Sequence, residues 1–139
     1  LIILDTNVVS ETSKQFPNAE AVAWLNRQAE DTLFLTAINV AELQEGIVVL
    51  PDGKRKEFLR KTISSAIDAF VNPILPFDRQ AGYKHAELVM RAKAKRYTLP
   101  FADGYIAAIA AVHGYTVATR DVEPFLVAGV PVINPWEER

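Results

Sequence analysis

Ile2-Ile3-Leu4-Asp5-Thr6-Asn7 is a run of three apolar side chains that gives way at once to an acid, a hydroxyl and an amide. β-Branched residues are stiff at χ1 and suit a pleated strand, whereas Asp, Thr and Asn bond to nearby backbone groups and start turns or helices. The sextet reads as a short strand whose carboxyl end carries Asp5 into a helix. Thr116-Val117-Ala118-Thr119-Arg120-Asp121 repeats the arrangement, with Asp121 beyond the strand. Outward from these two, Leu33-Phe34-Leu35, Ile74-Leu75 and Val130 to Ile133 are further strand candidates. Helical patterns separate them. Asn18 is a plausible cap for a helix carrying Val22 and Leu25, and Ala37 to Leu50 places Val40, Leu43 and Ile47 on one stripe before the turn Pro51-Asp52-Gly53. Lys54 to Phe70 repeats Phe58, Ile63, Ile67 and Phe70, and Arg79 to Tyr97 repeats Tyr83, Ala86, Met90 and Ala94. A helix from about Ala102 to His113 is apolar nearly all round and stops at Gly114, so it should be buried. Five strand candidates alternating with helices predict an α/β fold: one domain over residues 1–139, a three-layer sandwich with a central parallel sheet of about five strands flanked by helices.

Bulk composition removes several classes of function. The 139 residues are 50% hydrophobic and 23% charged, as in an ordinary globular domain and unlike a disordered chain. Without cysteine there is no disulfide, thiolate nucleophile or Cys-ligated zinc, and two histidines make a His-rich metal site a poor fit. The longest apolar stretch, Phe101 to Val112, contains Asp103 and falls short of the roughly 20 residues of a spanning helix. No charged leader precedes Leu1 to Leu4, so the expectation is a soluble, cytoplasmic protein with no membrane partner.

Four acids occupy places where structure alone gives only part of a reason for them. Asp5 and Asp121 sit at strand ends, where open α/β sheets bind ligands. Asp103 lies in the first turn of the most apolar helix, and Glu42 stands among Val40, Ala41 and Leu43. Each has a simpler reading: Asp5 and Asp121 as Asx-turn or cap residues, Asp103 as a complement to the helix dipole, Glu42 as half of a cap-like Asn39-x-x-Glu42 pair. All four, however, are expected at the same edge of the sheet. Clustered carboxylates repel and need a cation, and an all-oxygen set favours Mg²⁺ or Mn²⁺. Metal-assisted phosphodiester cleavage is the chemistry such sites serve. Thr6, Asn7 and Thr119 are candidates for orienting the carboxylates, and Arg120 for contacting a phosphate. Net charge is −2, but the 17 acids less these four leave 13 against 15 Lys and Arg, a mildly basic surround that a nucleic acid tolerates.

Leu4-Asp5-Thr6-Asn7-Val8-Val9-Ser10-Glu11, Val40-Ala41-Glu42-Leu43, Ala102-Asp103-Gly104-Tyr105-Ile106-Ala107-Ala108 and Thr119-Arg120-Asp121 together resemble the PIN-domain family in order and spacing. Within it the chain is similar to the VapC toxins and to their FitB-like branch, through Ile74-Leu75-Pro76-Phe77-Asp78 and Val132-Ile133-Asn134-Pro135-Trp136. The resemblance implies a PIN-like fold and an Mg²⁺- or Mn²⁺-dependent endoribonuclease, the toxin of a type II toxin-antitoxin pair. It implies a homodimer, inhibited by a VapB-type antitoxin whose C-terminal segment blocks the acidic site, with a larger toxin-antitoxin complex and DNA contact only through the antitoxin. Carried over by position, Asp5, Asp103 and Asp121 are metal ligands and Glu42 a ligand acting directly or through water. Asn39 stands where many relatives carry Ser or Thr.

Two rival readings remain at this stage. A phosphatase of the kind that pairs a nucleophilic Asp with an acid two residues on would need an acid at Asn7. A catalytically silent protein-binding module would have no use for all four acids. The basic runs Lys54, Arg55, Lys56, Arg60, Lys61 and Lys84, Arg91, Lys93, Lys95, Arg96 read as solvated helix faces, and Tyr97 and Phe101 as core residues, with stacking on single-stranded RNA the alternative for both.

Overall fold

The computed structural model describes residues 1–138. Four strands, β1 (Ile2–Leu4), β2 (Leu33–Phe34), β3 (Thr116–Ala118) and β4 (Val132–Ile133), form a parallel sheet in the order β2-β1-β3-β4 among the described residues. The chain leaves β1 to build β2 on one side and returns to place β3 on the other. Strand order therefore reverses between β1 and β3, and a crevice opens beyond their carboxyl ends. The fifth expected strand, Ile74-Leu75, is reduced to one parallel bridge between Thr36 and Leu75. Leu75 N–H donates to the Leu35 carbonyl at 2.9 Å and its own carbonyl accepts from Ala37 N–H at 2.8 Å. Pro73 and Pro76 flank this pair, and proline has no N–H with which to extend a ladder.

Seven α-helices accompany the strands among the described residues: α1 (Thr6–Glu11), α2 (Ala19–Asn26), α3 (Ala37–Val48), α4 (Lys54–Asp68), α5 (Arg79–Ala94), α6 (Phe101–His113) and α7 (Glu123–Ala128). Alternation along the strands sorts them into layers. Ile3, Phe34 and Val117 share one core with Ala81, Leu88 and Ala92 of α5, Ile106 to Ala110 of α6 and Phe125 of α7. Leu4, Leu33 and Ala118 share the other with Val8 and Val9 of α1, Trp24 of α2, Leu43 and Ile47 of α3 and Ile63 of α4. The sheet is thus covered on both faces, which gives the three-layer sandwich. Residues Ile106 to Ala110 are at most 1% exposed, so α6 is the buried helix its composition predicts.

Capping follows sequence chemistry with one correction. Asn18 accepts from Ala21 N–H, and α6 ends at Gly114 in the left-handed region (φ 71°), a conformation that costs glycine no Cβ clash. At the start of α3, however, Asn39 is not a cap for Glu42. Thr36 is the cap residue and Asn39 closes a capping box with it, leaving Glu42 free to face elsewhere.

The amphipathic stripes need a larger correction. Tyr83 and Met90 of α5 are each 64% exposed, as is Phe58 of α4, and Ala86 and Ala94 also face solvent. On α5 the buried face is Ala81, Leu88 and Ala92; on α2 Ala21 and Trp24 are buried and Leu25 packs half-buried against the same core as Trp24. The reason is the neighbour. Helix α6 presents Gly104 and a run of alanines, where a Cβ added at Gly104 would lie 3.0 Å from His85 Nε2 and 3.1 Å from Leu99 Cδ2. The glycine makes room for the His85 ring of α5, and the alanines beyond it are met by Ala81, Leu88 and Ala92 while Tyr83 and Met90 turn outward. Part of the second basic run is structural as well. Arg91 Nη1 donates to the Ala128 carbonyl at 2.8 Å and Lys95 Nζ to Val127 O at 3.0 Å, so both satisfy carbonyls at the end of α7, where cations are favoured.

The inverted stripe is checked by two alanines on one helix. Ala92→Leu, at a site with no exposure, should overpack the α5–α6 contact and cost about 1–3 kcal/mol. Ala86→Leu should change stability by less than about 0.5 kcal/mol, as exposed positions do. Urea unfolding of both variants measures the difference, and equal effects would return Ala86 to the core.

Candidate active site

Asp5, Glu42, Asp103 and Asp121 line one open cavity of about 400 Å³, together with Thr6, Asn7 and Ser10. Four different elements deliver them. Asp5 follows β1, Asp121 lies beyond β3, Glu42 is in the second turn of α3, and Asp103 is in the first turn of α6. The register that pairs Leu4 with Ala118 sets the first two side by side, and Asp5 N–H continues the ladder to the Ala118 carbonyl at 2.9 Å.

Asp5 serves structure and site at once. It is the cap of α1, its Oδ1 accepting from Thr6 N–H at 2.8 Å, as the simpler reading expects. Its Oδ2 accepts from the fully buried Thr119 hydroxyl at 2.8 Å. That hydroxyl in turn accepts from Asn7 Nδ2 at 3.2 Å and Asp121 N–H at 3.0 Å, so its one proton and its lone pairs are all engaged. Asn7 Oδ1 receives Arg120 N–H at 3.3 Å. Position 7 is thus an amide bonded at both ends, where a phosphatase of the rival kind would need an acid.

A second relay fixes Glu42. Thr6 Oγ1 donates to Glu42 Oε1 at 2.8 Å and accepts from Asn39 Nδ2 at 3.3 Å. Asn39 is itself immobilised, its Oδ1 taking both the N–H and the hydroxyl of Thr36 at 2.9 and 2.8 Å. Thr36 and Asn39 are fully buried. The sequence pairs Asn39 with Glu42 only as a cap, and gives Thr36 no part in holding Glu42. A Thr-x-x-Asn spacing ahead of an apolar run is the signal for such a box. Ser10 was missed too, though it falls one helical turn after Thr6 and so shares its face. Glu11, quoted only as part of a motif, is buried where it accepts from Lys14 Nζ and Asn18 N–H, both at 2.8 Å, and these bonds hold its carboxyl below the usual range.

The side chain of Arg120 does not line the cavity. Its guanidinium lies over the Trp136 ring, 5.4 Å from the centroid, at a cation–π distance. Phe101 is 76% exposed rather than core, stacked beside Tyr105, while Tyr97 is half-buried.

The electrostatics are those of crowded acids. Burial is the first cause raising the Asp5 carboxyl, partly offset by the bonds from Thr119 and Thr6, with Asp121 adding repulsion. Burial also raises Glu42 against the Thr6 bond. Asp103 is pushed up to about 6, first by burial and then by Asp5, Asp121 and Glu42, with no hydrogen bond to oppose them. Among the described residues no three acids or histidines converge on a ready-made ion site. The carboxylates instead ring an open space, and this suits a hydrated hard cation, since Mg²⁺ binds through one or two carboxylates and keeps several of its waters. On donor chemistry and charge, the four residues fit a divalent ion.

The sign of the pH dependence follows from Asp103. Its folded carboxyl binds a proton more tightly than the unfolded one, so this stabilisation is complete below the unfolded value of about 4 and is lost as pH rises through about 6. The metal-free protein should melt lower at pH 7 than at pH 5, and Asp103→Asn should flatten that fall and melt higher than the parent at pH 7 in chelator. Thermal melts across this window check it; a variant melting below the parent would make Asp103 a structural residue.

Comparison with known proteins converges on one family. A family model described as PIN domain matches residues 2–129. The "VapC ribonuclease Y4jK" of Sinorhizobium fredii is 44% identical over 138 residues, covering 99% of each chain. The "Toxin FitB" of Neisseria gonorrhoeae is 42% identical over 139 residues, covering 99% of this chain and 100% of the relative. The solved structure of FitAB bound to IR36 DNA fragment superposes with a TM-score of 0.93 at 41% identity, covering 100% of this chain and 98% of that one. With the fold, the sheet-edge crevice and the family model all spanning the same chain, this protein belongs to the PIN-domain family.

Proposed function

We propose that the protein is an endoribonuclease that hydrolyses RNA phosphodiester bonds with Mg²⁺ or Mn²⁺, acting as the toxin of a toxin-antitoxin pair in the cytoplasm. The observation that carries the chemistry is the convergence of Asp5, Glu42, Asp103 and Asp121 on one cavity without a basic side chain among its lining residues. Full-length relatives named as a VapC ribonuclease and as a toxin support the substrate and the biological role. The neighbouring solved structure, FitAB bound to DNA, supports an antitoxin partner through which DNA is met.

Asp5, Asp103 and Asp121 would hold the ion, with Glu42 contributing directly or through water. A divalent ion held there would supply Lewis acidity toward the phosphoryl oxygen and make a bound water a stronger acid. The chain's own work is to keep the carboxylates in place. Thr119 takes one oxygen of Asp5 and leaves its other to the α1 cap, so the carboxylate plane cannot rotate. Thr6, steadied by Asn39, does the same for one oxygen of Glu42. Asn7 aligns Thr119 and receives Arg120 N–H, tying the chain that leads to Asp121 back to α1.

Purified protein should cleave synthetic RNA with millimolar Mg²⁺ or Mn²⁺ and not in excess EDTA, and Asp5→Asn should abolish cleavage while leaving the circular dichroism spectrum intact. Thr119→Val, nearly isosteric, should lower kcat by about 10–100-fold, as removal of a ligand-orienting bond does. Undiminished cleavage in chelator would end the metal mechanism.

We also propose a homodimer built on the outward face of α5. Tyr83 and Met90 lie two helical turns apart there, both largely exposed, and form an apolar stripe the fold leaves uncovered. Light scattering at micromolar concentration should give twice the chain mass for the parent and a single mass for Tyr83→Lys/Met90→Lys. A monomeric parent would refute it.

A further inference from the structure

A second cavity, of about 150 Å³, opens from the acidic one between α1, α3 and α4. The two share Thr6, Ser10 and Glu42, so they adjoin along one edge and a strand lying across that edge reaches both. Beyond that shared edge the walls are Leu43, Ile47, Leu59 and Ile63, with Ser13 and the backbone of Gly46 at the rim. No basic side chain lines it, and Glu42 stands at its entrance, so an anion such as a phosphate is excluded on charge. Apolar walls with hydroxyls at the mouth suit a neutral planar group that hydrogen-bonds along its edge.

Gly46 supplies an independent observation. It stands in the last turn of α3, two residues before that helix ends, and it is exposed. Its φ is not in the positive region, and a Cβ built there meets nothing within 4 Å. Nothing in the chain itself needs the missing side chain. Gly46 lines the cavity, and without a Cβ there a flat group can approach the α3 backbone.

Resting on the ribonuclease reading, we propose that this cavity is a nucleobase subsite, which takes one unstacked base next to the scissile phosphate while the acidic cavity takes the phosphate itself. Single-stranded RNA is recognised through bases splayed into such pockets, read along their edges by hydrogen bonds. Ser10 and Ser13 hold the polar rim; Ser13 Oγ donates to the Ser10 carbonyl at 2.8 Å and keeps its lone pairs for an incoming N–H. Leu43, Ile47, Leu59 and Ile63 form the floor. Arg55 stands one turn before Leu59 on α4 and makes no ion pair among the described residues, which leaves a cation at the far edge for the next phosphate along the strand.

The test compares parent, Gly46→Ala and Gly46→Leu in Mn²⁺, on a cleavable oligoribonucleotide and on two versions with one base removed, either 5′ or 3′ of the scissile bond. Both variants should fold, with Gly46→Ala melting above the parent. The parent should lose about tenfold in kcat/KM on one abasic substrate and little on the other. Gly46→Leu, which fills the cavity, should be about tenfold slower than the parent on the intact substrate and indifferent to the missing base, with Gly46→Ala between them. If Gly46→Leu cleaves the intact RNA at the parent's rate and sites, the cavity holds no base, and a polypeptide occupant becomes the better reading. An unchanged abasic penalty in Gly46→Leu would overturn the proposal equally. A parent that cleaves no RNA at all would overturn the ribonuclease reading and this inference with it.

Discussion

The buried hydroxyl of Thr119 ties together the two strand ends that carry Asp5 and Asp121. It stands where β1 and β3 end together, and its bonds reach Asp5, Asn7 and the backbone of Asp121. Without it, Asp5 would be a 5%-exposed carboxylate with an unmatched oxygen, which is costly in a low-dielectric setting. A valine in its place would fill the same space and satisfy nothing. The parallel pairing that brings Thr119 there also reverses the strand order, so one structural decision creates both the crevice and the group that organises it.

The four carboxylates oppose the stability of the fold that gathers them. Burial and mutual repulsion raise Asp5, Glu42 and Asp103 together. The compensation is divided: Asp5 and Glu42 receive hydrogen bonds from threonines, whereas Asp103 receives none and is shifted to about 6. A site in which one acid is left uncompensated by the protein is one that gains most from an added cation, because binding to the folded state alone is what stabilises it. The close approach of α5 to α6 at Gly104, the residue next to Asp103, sets the wall of the cavity on which that acid stands, with no threonine donor of its own.

That same approach explains why hydrophobic periodicity misassigned α5. Tyr83, Ala86, Met90 and Ala94 recur at a helical period as well as Ala81, Leu88 and Ala92 do, and alanine carries too weak a signal to decide between them. What decides is the width of the gap. Beside the alanines of α6 the gap takes Ala81, Leu88 and Ala92, at Gly104 it takes the His85 ring, and the tyrosine and methionine face outward. Glycine speaks as clearly elsewhere: at Gly114 for chain reversal, and at Gly46 for space the chain itself does not fill.

The sequence by itself determined the alternation of short strands and helices, the burial of α6, the cap chemistry at Asn18 and Gly114, and the presence of four acids at junctions expected on one edge. These are local properties, fixed by side-chain stiffness, by which groups can bond to the nearby backbone, and by apolar residues repeating at a helical period. The tertiary structure alone decided the rest. It reduced Ile74-Leu75 to a single bridge, set Thr36 and Asn39 behind Glu42, turned Arg120 onto Trp136 and away from the cavity, and chose which stripe of α5 to bury. Each of those outcomes depends on a partner beyond the local turn of chain, from Arg120 and Trp136 to Thr6 and Asn39, which are 33 positions apart. Local preferences carry no information about such pairs, because the energy that selects them exists only once the strands have paired and the helices have closed over them.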